Sequence, residues 1–291
     1  MKMNSFAYGI APAILFTGMA LVSCQKNLDV KSAQSAASDD LQKVTRVATA
    51  ESFMNVSDAG QFAFAINPQY ASTDKALVGS CPPITTYSPS AEVYPHTVTV
   101  DWGTGCTTGS LTRSGKWITY VTGDMSQLGS SSETTYDNFY ENGVKLEGQV
   151  RVAHNRETGF AYGVYRITFK NRKLTQTNGD YIIYGGYRRI VKRDNNPVYP
   201  GFPNGGFKVT GTVTGNEMKA GVPYQWVATI DVANPLIYNF CDFIVKGNTE
   251  VTFTNQSTWL VNYGTDARIC DDQAELTVDG VTTTVTLPLE Y

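Results

Sequence analysis

From residue 97 onward, apolar and polar positions alternate in short runs that stop and restart many times. Thr97-Val98-Thr99-Val100-Asp101-Trp102 sets the pattern. A period of two is that of a strand with one buried face. Segments 116–122, 144–152, 162–169, 181–191, 207–213, 225–232, 250–254, 258–263, 275–278 and 282–287 continue it, rich in Val, Ile, Thr and Tyr. Between them, Asn142-Gly143, Asn178-Gly179, Asn204-Gly205 and Asp279-Gly280 are the dipeptides of tight hairpins. Short connections force antiparallel neighbours. The expected fold is therefore all-β: a large antiparallel β-sandwich or a twisted two-layer sheet rather than a closed barrel.

The chain before this texture is different. Residues 25–52 contain neither glycine nor an aromatic side chain and are dominated at first by Ser, Ala, Gln, Asp and Lys. That composition reads as a tether. Leu41, Val44, Val47 and Ala48 have the spacing of a short helix, and 58–66 fits either a second short helix or a first strand. Ahead of it, Lys2 precedes a mostly apolar run, 6–20, too short for a confident membrane span. The run ends in Leu21-Val22-Ser23-Cys24, which resembles a bacterial lipobox. The resemblance implies a signal peptide over 1–23, cleavage before Cys24 and acylation of that cysteine, which would hold the protein to a membrane by several chains. Gln25, rather than Asp, implies sorting to the outer membrane. The expected organisation is thus signal peptide 1–23, acylated cysteine and tether 24–52, and an all-β domain 53–291.

Composition narrows the function classes. The 291 residues are 42% hydrophobic and 17% charged, which supports a sizeable core. A net charge of −3 argues against a nucleic-acid partner. Five cysteines against two histidines suit an oxidising envelope better than a metalloenzyme.

Two stretches resemble each other. Asp101-Trp102-Gly103-Thr104, Cys106 and Leu111-Thr112 have the order of Asn262-Tyr263-Gly264-Thr265, Cys270 and Leu276-Thr277. Each has an upstream cysteine, Cys81 and Cys241. The parallel suggests repeat modules near 77–122 and 236–288. With Cys24 assigned to lipid, four cysteines allow three connectivities, and the repeat selects Cys81–Cys106 with Cys241–Cys270. Each would close a short loop worth ~3.5 kcal/mol in the chain-entropy view.

The lipobox, Val98 to Gly105 with Cys106, Arg113-Ser114-Gly115-Lys116, Asp137-Asn138-Phe139-Tyr140 with Gly143, and Cys270-Asp271-Asp272 together resemble a group of uncharacterised Bacteroidota cell-envelope lipoproteins. That resemblance implies a secreted, acylated, all-β protein and no particular activity.

Catalytic motifs are missing: there is no Gly-x-Ser-x-Gly elbow, no His-Glu-x-x-His, no phosphate loop and no dinucleotide fingerprint. No cofactor, no metal and no catalytic residue is expected. His96 and His154 read as surface or capping residues. Glu133, Glu147, Glu157 and Glu250 could supply a carboxylate pair for glycoside hydrolysis, but sequence spacing brings no two together. Asp266, Asp271 and Asp272 cluster without the alternation of calcium loops.

Two features point instead to binding. Arg188, Arg189, Lys192 and Arg193 form a basic run beside Tyr184 and Tyr187. Such a run either attracts an acidic glycan or headgroup, or marks a charged edge strand. The Pro-rich loop 195–204 carries Tyr199 and Phe202, whose rings either stack on a ligand or cap the core. The expected function is that of an outer-membrane lipoprotein that binds a glycan or an envelope protein, with Tyr199, Phe202, Arg188, Arg189 and Arg193 as the ligand surface. The alternatives are a lipid-anchored carbohydrate-active hydrolase and a purely structural component of the surface.

Overall fold

Among the described residues, alternating Val, Ile, Thr and Tyr build sixteen strands that hydrogen-bond into one sheet. The computed structural model describes residues 83–108, 111–159, 163–192, 207–238, 244–254, 258–264 and 273–286. The strands are β1 (Ile84–Ser88), β2 (His96–Asp101), β3 (Cys106–Thr108), β4 (Leu111–Val121), β5 (Ser131–Glu141), β6 (Val144–Asn155), β7 (Val164–Thr175) and β8 (Tyr181–Lys192). They continue with β9 (Phe207–Lys219), β10 (Val222–Ile230), β11 (Leu236–Tyr238), β12 (Ile244–Lys246), β13 (Asn248–Phe253), β14 (Thr258–Asn262), β15 (Gln273–Val278) and β16 (Val281–Thr286).

Their order is a meander, β1-β2-β4-β5-β6-β7-β8-β9-β10-β13-β14-β15-β16, with every pairing antiparallel. Among the described residues the two ends of the path do not pair, so the sheet is not a closed barrel. The all-β antiparallel expectation holds, in the form of a single continuous sheet. The short helical segments expected before residue 70 lie outside the described residues.

Local chemistry explains the connections. Asn142-Gly143 and Asp279-Gly280 form two-residue hairpins with both residues at positive φ, as a type I′ turn requires. Ala220-Gly221 forms a third, although Ala220 at φ +47° has no glycine-like freedom. Asn178-Gly179 instead lies in a wider loop. There Asn178 accepts the Asp180 N–H at 3.0 Å and Gln176 donates to the Asp180 carbonyl at 2.8 Å.

Five strands are not marked by the alternation: the short β1, β3, β11 and β12, and the long β5. The inner positions of β5 include Ser132, Thr134 and Glu141, all buried, and the buried hydroxyl of Thr134 meets that of Thr119 at 2.9 Å. Small polar side chains satisfied across strands take the place that apolar ones fill elsewhere. On the other strands the inner face is mainly apolar: Val98, Val100, Trp117, Leu146, Val150, Ile167, Phe169, Val213, Trp226, Val251 and Trp259 belong to one core, joined by Phe139 of β5.

A seam of irregularities crosses the meander. On β5 an extra residue at Asp137–Asn138 puts Asn138 at φ +47°, and Gly115 of β4 faces it at φ +76°. On β7 an extra residue at Lys170–Asn171 puts Asn171 at φ +49°, and Gly148 of β6 faces it at φ +92°. A Cβ on Gly115 would run into the Asn138 carbonyl, and one on Gly148 into that of Asn171. Gly186 and Gly211 make a comparable close approach between β8 and β9. Bulges of this kind bend strands and increase twist.

The two resembling stretches share a turn but not a strand arrangement. Asp101 accepts the Gly103 N–H at 2.7 Å, and Asn262 accepts that of Gly264 at 3.0 Å. Trp102 donates to Gly115 and Tyr263 donates to Gly247, each at 2.9 Å. Gly115, however, lies on β4, which comes after β2 in the chain and pairs with it, whereas Gly247 lies just before β13, the strand that precedes β14 and pairs with it. The same local device therefore serves two opposite connection orders. Cys106 is disulfide-bonded; Cys81, Cys241 and Cys270 lie outside the described residues.

Candidate functional site

Strand β7 carries the most chemistry on the outer face. Up to Phe169 its inner side chains are at odd positions, Ile167 and Phe169. The bulge at Lys170–Asn171 adds one residue and shifts the parity, so Arg172 and Leu174 face inward beyond it. The outer face then receives Arg166, Thr168, Lys170, Lys173 and Thr175. Without the bulge Lys173 would be directed into the core.

Aromatic rings on β8 hold two of these cations. The Arg166 guanidinium lies 4.1 Å from the centroid of the Tyr187 ring, and the Lys173 ammonium 4.7 Å from that of Tyr181. Such contacts contribute about 0.5–1 kcal/mol each at exposed sites and order the long side chains. At ~3.3 Å per residue the two pairs stand roughly 20 Å apart along the strand. Lys170 is exposed between them, and Arg151 of β6 is exposed opposite Thr168. Among the described residues none of Arg151, Arg166, Lys170 and Lys173 belongs to an ion pair.

The basic run read from the sequence is distributed differently. Arg188 is buried at 3% exposure, and its guanidinium donates to the Gly211 carbonyl at 3.1 Å. It belongs to the interior, which corrects its placement on a ligand surface. Arg189 faces outward but grips Glu157 with two nitrogens, Nε at 2.9 Å and a terminal nitrogen at 2.5 Å. The edge-strand alternative is also corrected, because β8 pairs with β7 on one side and β9 on the other. Arg193, Tyr199 and Phe202 lie outside the described residues. Tyr184 is buried in the core, whereas Tyr187 holds Arg166.

Both histidines are buried, contrary to the surface reading. His96 is 1% exposed; its Nδ1 stands 3.1 Å from the Val93 carbonyl and its ring stacks on Tyr94 at 4.7 Å. His154 is 4% exposed and stacks on Tyr165 at 4.2 Å. Burial, and then the charge of Asp124, pushes the phenols of Tyr94 and Tyr165 above their ordinary value. Asp124 is itself held below the usual carboxylate range by the backbone N–H and then the hydroxyl of Ser126.

The carboxylates considered for hydrolysis are scattered. Glu133 lies on β5, Glu147 on β6 beside Lys145 at 2.9 Å, Glu157 on Arg189, and Glu250 on β13. No group of three or more His, Cys, Asp or Glu among the described residues could hold a metal ion. Asp266, Asp271 and Asp272 lie outside those residues. Sequence reasoning missed Arg151, Arg166, Lys170 and Lys173 because they are not consecutive. Their signal is a positive charge at outer positions of adjacent strands, visible once the register is known.

Comparison of the chain with protein families, characterised proteins and solved structures finds no match.

Proposed function

We propose that this chain is an acylated outer-membrane protein whose β domain binds an envelope component, a glycan or a protein, and catalyses no reaction. The observation that carries the binding reading is the strip on β7 and β8. It has two cations laid over tyrosine rings, with further cations beside them; none of the four is in an ion pair among the described residues, although Glu147 stands opposite Lys173 and Glu133 opposite Arg151 in the register. A structural role alone would be served by the paired charges seen at Arg189–Glu157 and Lys145–Glu147. Prepaid ordering of cations is what a binding surface needs, because less side-chain freedom is lost when a ligand arrives.

The anchor rests on the sequence: Cys24 closes the lipobox-like tetrad, and residues 25–52 supply the reach between membrane and domain. Disulfides Cys81–Cys106 and Cys241–Cys270 complete the proposal. In Cys24→Ser the chain is expected to leave the detergent phase or to persist as the unprocessed precursor. Detergent partitioning equal to that of the wild type would refute the anchor. Binding to isolated envelope fractions, unchanged when Arg166 and Lys173 are both replaced by Gln, would refute the surface.

A further inference from the structure

We infer that the ligand of the outer strip is a linear acidic polysaccharide lying along β7, with one acidic group at Arg166 and another at Lys173. This rests on the binding reading above and names the ligand class.

Three observations lead there. First, the cations form a line and not a cluster. Arg166, Lys170 and Lys173 follow one another on the outer face of a single strand, and the outermost two are roughly 20 Å apart at ~3.3 Å per residue. A single headgroup or phosphate occupies one such position; a chain of repeating units occupies all of them.

Second, the groups between the charges are hydroxyls and rings. Thr168 shares the outer face with the cations, and Tyr187 and Tyr181 lie beside them on β8. Hydroxyl groups match the hydrogen-bonding of sugar rings, and tyrosine supplies a flat apolar edge with a polar tip. The guanidinium of Arg166, held over Tyr187 at 4.1 Å, keeps its planar fork for a carboxylate or sulfate.

Third, the strip has no means of entering a bilayer. The exposed large apolar side chains include Val93, Tyr120, Leu128, Val222 and Val232, and none of those exposed lies on β6, β7 or β8. A surface that engages lipid inserts apolar side chains between the headgroups as well as attracting their charge. The net charge of the chain, −3, also sets this strip apart as a local feature and not part of a generally basic protein.

The test uses the full chain in detergent and immobilised polygalacturonate, a linear polyanion. Its methyl-esterified form, with the same backbone but masked charge, is the comparator. The wild type is expected to bind the free acid, to bind the ester more weakly, and to lose affinity as salt is raised. Arg166→Gln with Lys173→Gln is expected to lower affinity about tenfold or more. Arg166→Lys, which keeps the charge but not the planar fork, should weaken binding less than Arg166→Gln, and Lys246→Gln, an exposed cation elsewhere, should leave it unchanged. Thermal melting of each variant checks that the sheet is intact.

Equal loss in Lys246→Gln and in the double variant would overturn the inference, since binding would then be diffuse charge. Loss of binding to phosphatidylglycerol vesicles, with polygalacturonate unaffected, would overturn it in favour of lipid. Equal binding of acid and ester, abolished by Tyr181→Ala and Tyr187→Ala, would remove the acidic class and leave the binding face standing. Insensitivity of both polymers to every change in the strip would remove both.

Discussion

Arg172 lies with its guanidinium 4.2 Å from the centroid of the Tyr136 ring, and among the described residues it is the largest side chain that is wholly buried. The two residues sit on β7 and β5. The strand between them, β6, carries Gly148 at this level on the inner face, so no side chain separates them. A buried cation over an aromatic face gains more than an exposed one, about 2 kcal/mol when desolvated. Arg172→Ala is expected to cost about 2–5 kcal/mol through lost packing and lost contact. Arg172→Met, which refills the volume, should cost clearly less. Urea denaturation with an unchanged slope checks both; equal midpoints for Ala and wild type would show that the pair is not important to stability.

The seam makes a sharper distinction among glycines. Gly115→Ala and Gly148→Ala would each place a Cβ against a carbonyl of the facing bulge, at a φ that alanine disfavours. Each should destabilise by about 3 kcal/mol or more. Gly103→Ala has a positive φ but open space, so about 1–2 kcal/mol is expected. Thermal melting of the three variants gives the order directly.

The hairpin between β9 and β10 offers the opposite effect. Ala220 occupies a left-handed position, and its N–H donates to Asp180 at 2.8 Å. Ala220→Asn keeps that N–H and tolerates the conformation better, so a gain of about 0.5–1 kcal/mol is expected. A lowered melting temperature would contradict the turn assignment.

Alkaline stability follows from three phenols. Tyr87, Tyr94 and Tyr165 are raised above the ordinary tyrosine value, in each case first by burial. A folded-state value above the unfolded one means the folded state holds its protons more tightly. The corresponding stability is complete below pH ~10 and is lost as pH rises through the folded values. Chemical denaturation midpoints should fall above pH ~10, together with the appearance of phenolate absorbance. Asp124→Asn should shift the Tyr94 and Tyr165 ionisations to lower pH, since its charge is the second cause in both.

The ion pair Arg189–Glu157 is partly exposed, with side chains 24% and 41% accessible. Its bidentate geometry favours a coupling near the upper end of about 0.2–1 kcal/mol for surface pairs. A double-mutant cycle with Arg189→Ala and Glu157→Ala measures it, and raised salt should reduce it.

Much of the architecture is local in origin and was therefore visible in the chain itself. Alternation of Val98, Val100 and their neighbours marks a strand with one buried face, because a strand's side chains alternate whatever it pairs with. Asn142-Gly143 and Asp279-Gly280 mark hairpins because few residues tolerate positive φ. Antiparallel order follows from the shortness of these links. The side on which each charged residue falls is not local. Arg172 faces inward and Lys173 outward only because a bulge at Asn171 shifts the parity against β8. Arg188 is interior and Arg189 exterior only because β8 is central, with one face against the core. His96 and His154, adjacent to turns in the sequence, are covered by Tyr94 and Tyr165 through contacts that a linear pattern does not contain. Arg166, Lys170 and Lys173 become one strip with Tyr187 and Tyr181 through register, and register is a property of paired strands rather than of either strand alone.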